Sequence, residues 1–341
     1  MRRMSKNILE RSIIGEKTMR PRTTIGIILI ILGIIGVLYV YENGSSNAIQ
    51  NIRNYFATEI NEQQSIDISD VRNLDISSGS LDVRLVKGTG SEAVVKLEGW
   101  ASKNYVKNLK LEHSKEDGTL KLSLKSDRGI RFGFGFRGVD MIVELPEKTW
   151  NQLDVDLDSG DLIVEQASAE SAKLHTSSGD VKASDFKVDS SLTISMNSGD
   201  MSLHSVSANK MDLATQSGDI SVNGYQAERI DFKVGSGDVS FEDGVAELSG
   251  KTGSGDIRMN VENITRHTDL RTGSGDVVIS LDRNPNSLSV QFKASSGDGV
   301  IRKDDFTYDT GSNGERNIKG KFGSGDIKLN VQTGSGDFVL K

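Results

Sequence analysis

The chain repeats one turn signal, Ser-Gly-Asp or a close variant, at nearly constant spacing, and no other feature restricts its fold as much. The glycine of the signal falls at Gly160, Gly179, Gly199, Gly218, Gly237, Gly255, Gly275, Gly297, Gly325 and Gly336. The steps between them are 19, 20, 19, 19, 18, 20, 22, 28 and 11. A unit of this length is one supersecondary element, too small to bury a face alone, so copies must stack.

Alignment on the glycine exposes the face that needs covering. Five residues before it stand Val155, Leu174, Ile194, Leu213, Phe232, Leu270, Phe292 and Val331. Two residues after it stand Leu162, Val181, Met201, Ile220, Val239, Ile257, Val277, Ile327 and Phe338. Glycine interrupts these columns at Gly250, Gly299 and Gly320. Polar residues separate the columns, so each unit reads as strand, turn, strand with one apolar side per strand. Stacking puts equivalent strands about 4.8 Å apart in parallel. The expected fold is all-β, a parallel β-helix or solenoid of rungs about 19–20 residues long over residues 151–341. Right-handed winding is expected from the hand of strand crossovers.

Residues 66–150 also alternate with period two. Leu74, Ile76, Leu81 and Val83 fit the rung template around Gly79. This segment is therefore expected to form a β-strand cap with a degenerate first rung. Asp117-Gly118 marks a hairpin turn inside it. Within the cap, Phe132, Phe134 and Phe136 share one face of a strand flanked by Arg128, Arg131 and Arg137. They either cover the end of the core or form a contact edge for a membrane or partner.

Ahead of the repeats the chain changes character. Residues 1–24 carry seven basic and two acidic residues, a net of +5. The whole chain is −7, so the remainder is −7 − 5 = −12. Thr23–Tyr41 is an uncharged apolar run that spans about 28 Å as a helix, close to the hydrocarbon thickness of a bilayer. The reading is a basic cytoplasmic tail at 1–22, a transmembrane helix at 23–41, a stalk at 42–65 and an extracytoplasmic body. Ser46-Asn47-Ala48 leaves a cleaved signal peptide as the rival. The acidic body argues against a nucleic-acid partner. Cysteine is absent, so neither disulfides nor lipoprotein attachment is available.

The repeated Asp has two readings. Turn chemistry accounts for Ser, Gly and Asp together. Calcium is the alternative, with Asp161, Asp180, Asp200 and Asp219 as candidate ligands. In later rungs Lys233, Lys251, Arg271, Lys293 and Lys321 stand four residues before the glycine, placed to neutralise Asp238 through Asp326. No nucleophile elbow, P-loop or HExxH motif occurs, and the four histidines fall at different repeat positions. No enzyme activity or cofactor is therefore expected.

The Ser-Gly-Asp-punctuated strands behind one apolar segment resemble the bacterial putative-adhesin β-strand-repeat family, which includes the LiaG-like proteins of cell-envelope stress operons. The resemblance covers residues 66–341 and is strongest from 150 onward. It implies a β-helical extracytoplasmic domain with a role at the envelope, and an envelope protein or cell-wall polymer as partner. A surface adhesin or glycan-binding module is the alternative function, and a carbohydrate-active enzyme a more distant one.

Overall fold

The structure is a computed structural model that describes residues 57–102, 105–106, 109–126 and 137–341. The basic tail, the apolar run at 23–41, stalk residues 42–56 and Phe132, Phe134 and Phe136 lie outside the described residues. Among the described residues no helix is long and apolar enough to cross a membrane.

Each rung is a strand before the Ser-Gly-Asp corner and a strand after it. The strands before the corner stack in parallel as β8 (Thr149–Ser159), β10 (Ser168–Ser178), β11 (Val181–Ser198), β12 (Met201–Ser217), β13 (Ile220–Ser236), β15 (Val245–Ser254) and β17 (Thr268–Ser274). The strands after it form a second parallel stack. This contains β9 (Leu162–Glu165), the opening residues of β11, β12 and β13, then β14 (Val239–Glu242), β16 (Ile257–Val261) and β18 (Val277–Leu281). Leu174, Ile194, Leu213 and Phe232 pair in register, and all are buried. The apolar columns therefore stack like on like between the two sheets. Column residues occupy over- and undersized sites in compensation. Phe232 fills the space that Gly250 leaves, since a Cβ on Gly250 would lie 2.3 Å from the phenyl ring.

Sequence order and spatial order part company at both ends. β2 (Asn73–Ser80) and β3 (Asp82–Lys87) form a rung against β8 and β9. Beyond that rung lies one built later in the chain, β6 (Thr119–Ser126) with β7 (Arg137–Leu145), again parallel. Antiparallel strands then close the end: β5 (Leu109–Glu116) on β6, β4 (Ala93–Ala101) on β7, and β1 (Thr58–Ile66) on β4. Asp117 and Gly118 take φ of 51° and 73° at the β5–β6 hairpin, as the turn sequence requires.

At the other end the last residues of the chain form an internal rung. β23 (Ile327–Ser335) inserts between β17 and β19 (Ser287–Ser296). β24 (Phe338–Leu340) inserts between β18 and β20 (Gly299–Ile301). The end is finished by β22 (Asn317–Gly323), antiparallel to β19, and β21 (Thr307–Thr310), antiparallel to β22.

Three expectations change. The stalk expected to reach residue 65 gives way to β1 from Thr58, because Ile60 and Ile66 are buried against the cap. In the first rung Leu81 and Asp82, not Gly79 and Ser80, pair at the corner with Gly160 and Asp161; Ser80 aligns with Ser159. The template shift is two residues, which leaves every side chain on its expected face. Gly325 is a turn glycine of a different turn. The loop from Gly323 to Asp326 carries the chain from β22 around the start of β19 to β23, and Asp326 bonds to Ser287 and Ser324. This explains the irregular steps of 28 and 11.

A chain terminus ordinarily frays and exchanges its amide protons fast. Here the amides of β23 and of Phe338 lie between two rungs. Native-state hydrogen exchange should show them protected to the same degree as β11 and β12. Exchange at the rate of a frayed terminus would contradict the inserted rung.

Candidate functional site

Nine of the ten repeat glycines, all but Gly325, form one column at the corner, with φ between 123° and 151°. Two constraints act there. The backbone conformation disfavours a side chain, and the preceding rung leaves no room for one. A Cβ on Gly179 would stand 2.2 Å from the Gly160 carbonyl oxygen, and one on Gly218 would stand 1.9 Å from that of Gly199. Glycine thus lets successive backbones approach closely where the chain turns.

The corner amides divide into two directions. Each corner glycine but Gly297, at the end of the column, donates its N–H to the serine carbonyl of the next rung, as in Gly160 to Ser178 at 2.8 Å. Up to the last rung, the residue after each aspartate donates to the next aspartate carbonyl, as in Leu162 to Asp180 at 2.8 Å. The aspartate N–H between them points back to the previous rung, where the side-chain carboxylate accepts it. Asp180 N donates to Asp161 Oδ1 at 2.9 Å, Asp200 to Asp180 at 3.0 Å, and Asp219 to Asp200 at 2.9 Å. The series starts at Asp82 and continues through Asp238, Asp256 and Asp276. It then crosses to Asp337 and ends at Asp298, following spatial rather than sequence order.

A buried threonine completes the corner. Thr176 and Thr252, three residues before their glycines, donate from Oγ1 to the glycine carbonyl of the preceding rung at 3.1 Å, and Thr272 does so at 2.9 Å. Thr215 and Thr333 occupy the same column and are buried. Sequence reading missed them, although Thr recurs at a fixed place in "TSSGD" and "TGSGD".

The candidate calcium ligands Asp161, Asp180, Asp200 and Asp219 each give Oδ1 to an amide of the next rung. Among the described residues no three His, Cys, Asp or Glu side chains converge in a metal-ligating group. The corner does not assemble the six to eight oxygens that calcium takes. The expected Lys/Arg neutralisation also fails in its detail. Arg271 binds Asp269 in its own strand, and the cations that reach the aspartate column are Lys182, 3.8 Å from Asp180, and Arg258. Its guanidinium lies 2.8 Å from Asp238 and 2.6 Å from Asp256. Arg258 stands two residues beyond Asp256 on the same outward side of the strand, whereas the Lys/Arg column belongs to the strand before the corner. Hydrogen bonding from Arg258, and secondarily from the Asp256 amide, holds Asp238 below the ordinary carboxylate range. The histidines remain apart: His175 contacts Ser195, and His267 accepts the Lys328 amide.

A stack of this kind, with its conspicuous polar column engaged in joining rungs, defines a parallel β-solenoid repeat domain. Residues 71–341 match the Toastrack DUF4097 family, and the chain belongs to it. Among solved structures it is similar to a "putative adhesin" of Bacteroides fragilis, at 15% identity and TM-score 0.44, covering 82% of this chain and 97% of that one. A second "putative adhesin", from Parabacteroides distasonis, matches at 13% identity and TM-score 0.43, covering 82% and 97%. A "putative lipid binding protein" of the same species matches at 14% identity and TM-score 0.41, covering 83% and 97%. No curated protein matches the chain.

The corner yields two tests. In urea unfolding of the full chain, Asp180→Ala should cost about 1–2 kcal/mol through loss of the acceptor for the Asp200 amide, and Asp180→Asn, which keeps an oxygen there, less than half of that. Gly218→Ala should cost about 3 kcal/mol or more through strain and overlap. Equal losses in the two Asp180 variants would contradict the amide-acceptor role. The second test uses pH. A carboxylate with a depressed folded-state pKa adds stability above its unfolded pKa, lost as pH falls through the folded value. The melting-temperature gap between wild type and Arg258→Gln should be present at neutral pH and close below about pH 4, where the unfolded-state carboxylate protonates.

Proposed function

We propose that the protein is a non-enzymatic, membrane-anchored extracytoplasmic β-solenoid with a structural or interaction role at the bacterial cell envelope, accessory to the envelope-stress response. One observation carries the non-enzymatic reading. The most regularly repeated ionisable side chains, the stacked aspartates, are hydrogen-bonded to the backbone of the neighbouring rung and form no group set apart for catalysis. The anchor rests on the apolar run Thr23–Tyr41 behind a basic tail, and the outward orientation on the side that carries the basic residues. The envelope-stress role rests on the resemblance of the repeats to LiaG-like proteins. Partners of this reading are the membrane and an envelope protein or cell-wall polymer, with nucleic acid disfavoured by the acidic body.

A glycan-binding module is the second reading. The observation favouring it is a polar groove on the side of the solenoid away from the Ser-Gly-Asp corner.

Crosslinking and pull-down of the full-length protein from membranes tests the first reading. A reproducible envelope-protein partner is expected. Recovery with cell-wall polymer alone would move the assignment to the second reading. Release from membranes by a high-pH wash would overturn the anchor.

A further inference from the structure

The second corner of each rung lies after the second strand and is less uniform than the first. Gln166, Asp185, Ser205, Gly224 and Asp243 turn it with φ between 50° and 66°, at the same repeat position in five consecutive rungs. The pattern then stops. The next two rungs leave β16 and β18 through irregular paths at 262–267 and 282–286. An open groove of about 960 Å³ crosses several rungs on this side, running from the regular corners onto those irregular paths.

Two polar atoms at this groove have no partner. Tyr225 is only 3% exposed, its ring is packed edge-on against Phe241, and its hydroxyl makes no hydrogen bond. Asn263 Oδ1 is likewise buried and unpaired. Both residues line the groove. A buried polar atom without a partner costs about 1–3 kcal/mol, so two at one site point to groups supplied from outside the fold. Burial, and after it the Asp243 carboxylate on the groove wall, pushes the Tyr225 hydroxyl pKa up, so that group stays protonated and able to donate.

The charges identify what would fit. Lys187 pairs with Asp189 and Glu262 with Arg283, which neutralises those positions. Glu228, Asp243 and Asp282 line the groove with no ion-pair partner among the described residues, against Arg266 alone on the basic side. The wall therefore offers unpaired acceptors and an excess of negative charge along the solenoid axis. It suits an extended ligand rich in donors, with cationic groups and hydroxyls along its length.

We propose that this groove binds an extended amino-sugar oligomer, with its ammonium groups at Glu228, Asp243 and Asp282 and a hydroxyl accepting from Tyr225. The proposal rests on the interaction role given under Proposed function and supplies a ligand class for it.

The test is titration of the full-length protein with a deacetylated chitosan hexamer, its N-acetylated counterpart and hexalysine. The deacetylated hexamer should bind at least tenfold more tightly than the N-acetylated one, which lacks the cations. Tyr225→Phe should weaken binding tenfold or more with the melting temperature unchanged or raised, since the substitution removes an unpaired buried hydroxyl. Asp243→Asn should weaken it similarly, and asparagine tolerates the left-handed backbone there. Absence of binding to the deacetylated hexamer, or binding undiminished in both variants, overturns the proposal. Hexalysine binding as tightly, with the same losses in the variants, also overturns it and assigns the groove to a basic peptide. Failure here stays distinct from failure of the broader reading: a membrane partner captured equally by wild type and Tyr225→Phe would leave the interaction role standing without the groove.

Discussion

One hydrogen bond, repeated from Asp82 to Asp298, holds the stack in register: an aspartate carboxylate in one rung accepting the aspartate amide of the next. The corner glycine turns the following N–H away from the direction in which the other corner amides point. No backbone carbonyl of the preceding rung is available to that N–H, and an unpaired backbone donor is a standing cost. A short side chain with an oxygen at the right reach supplies the acceptor. The same bond limits the electrostatic cost of the column. Carboxylates stacked about 4.8 Å apart repel by about 0.9 kcal/mol per neighbouring pair in water, whereas a hydrogen bond to a charged group contributes about 1.5–3 kcal/mol. Each carboxylate of the column but that of Asp298 is thus compensated locally by an amide dipole, and cations add a full charge at two places, Lys182 at Asp180 and Arg258 at Asp238 and Asp256.

Stacking in one dimension creates ends, and both ends are finished with non-consecutive chain. Open parallel edges invite pairing with other chains. At one end antiparallel β5, β4 and β1 cover the last parallel rung. At the other, β22 and β21 cover β19, while the edge strand β20 is closed by an antiparallel bridge between Gly299 and Glu315 and by a side chain. Asn313 donates to the Ile301 carbonyl at 3.1 Å and accepts its amide at 2.8 Å, standing in for a further strand. The inserted β23–β24 rung has the same logic. Its Thr333 and Asp337 meet the columns of both neighbours, so a segment distant in sequence completes the stack without a break in the carboxylate series.

The repeat and its apolar columns were legible because stacking demands the same side-chain type at the same place in every rung. The parallel two-sheet core follows from that alone. What escaped was information that period two and local turn sequence do not contain. A shift of two residues in the first rung keeps Leu74, Ile76 and Val83 buried, so the pattern could not distinguish Gly79 from Leu81 as the corner. "GSGD" at 323–326 is identical to corner sequences elsewhere, yet it serves as a crossover, because the identity of a turn depends on which strands it joins. The cation column failed for a geometric reason: residues four before and one after the glycine lie on different strands, and proximity in the repeat is not proximity on a face. The threonines were hidden by the rule that interior columns are apolar. Their hydroxyls satisfy that interior by bonding to glycine and serine carbonyls of the corner.

The division of labour between the two corners bears on where function can reside. The Ser-Gly-Asp corner is constrained at several atoms: the glycine by its neighbour's carbonyl, the aspartate by the next amide, the threonine by a glycine or serine carbonyl of the corner. Variation there breaks the stack, so it has little freedom to be shaped for a ligand. The second corner carries no such chain of bonds. It accepts Gln, Asp, Ser or Gly at its turning residue and lengthens after β16 and β18 without disturbing the sheets on either side. Tolerance of this kind is what allows a groove with unpaired polar atoms to form on an otherwise saturated scaffold, and it places the adaptable chemistry of the molecule opposite its most conspicuous motif.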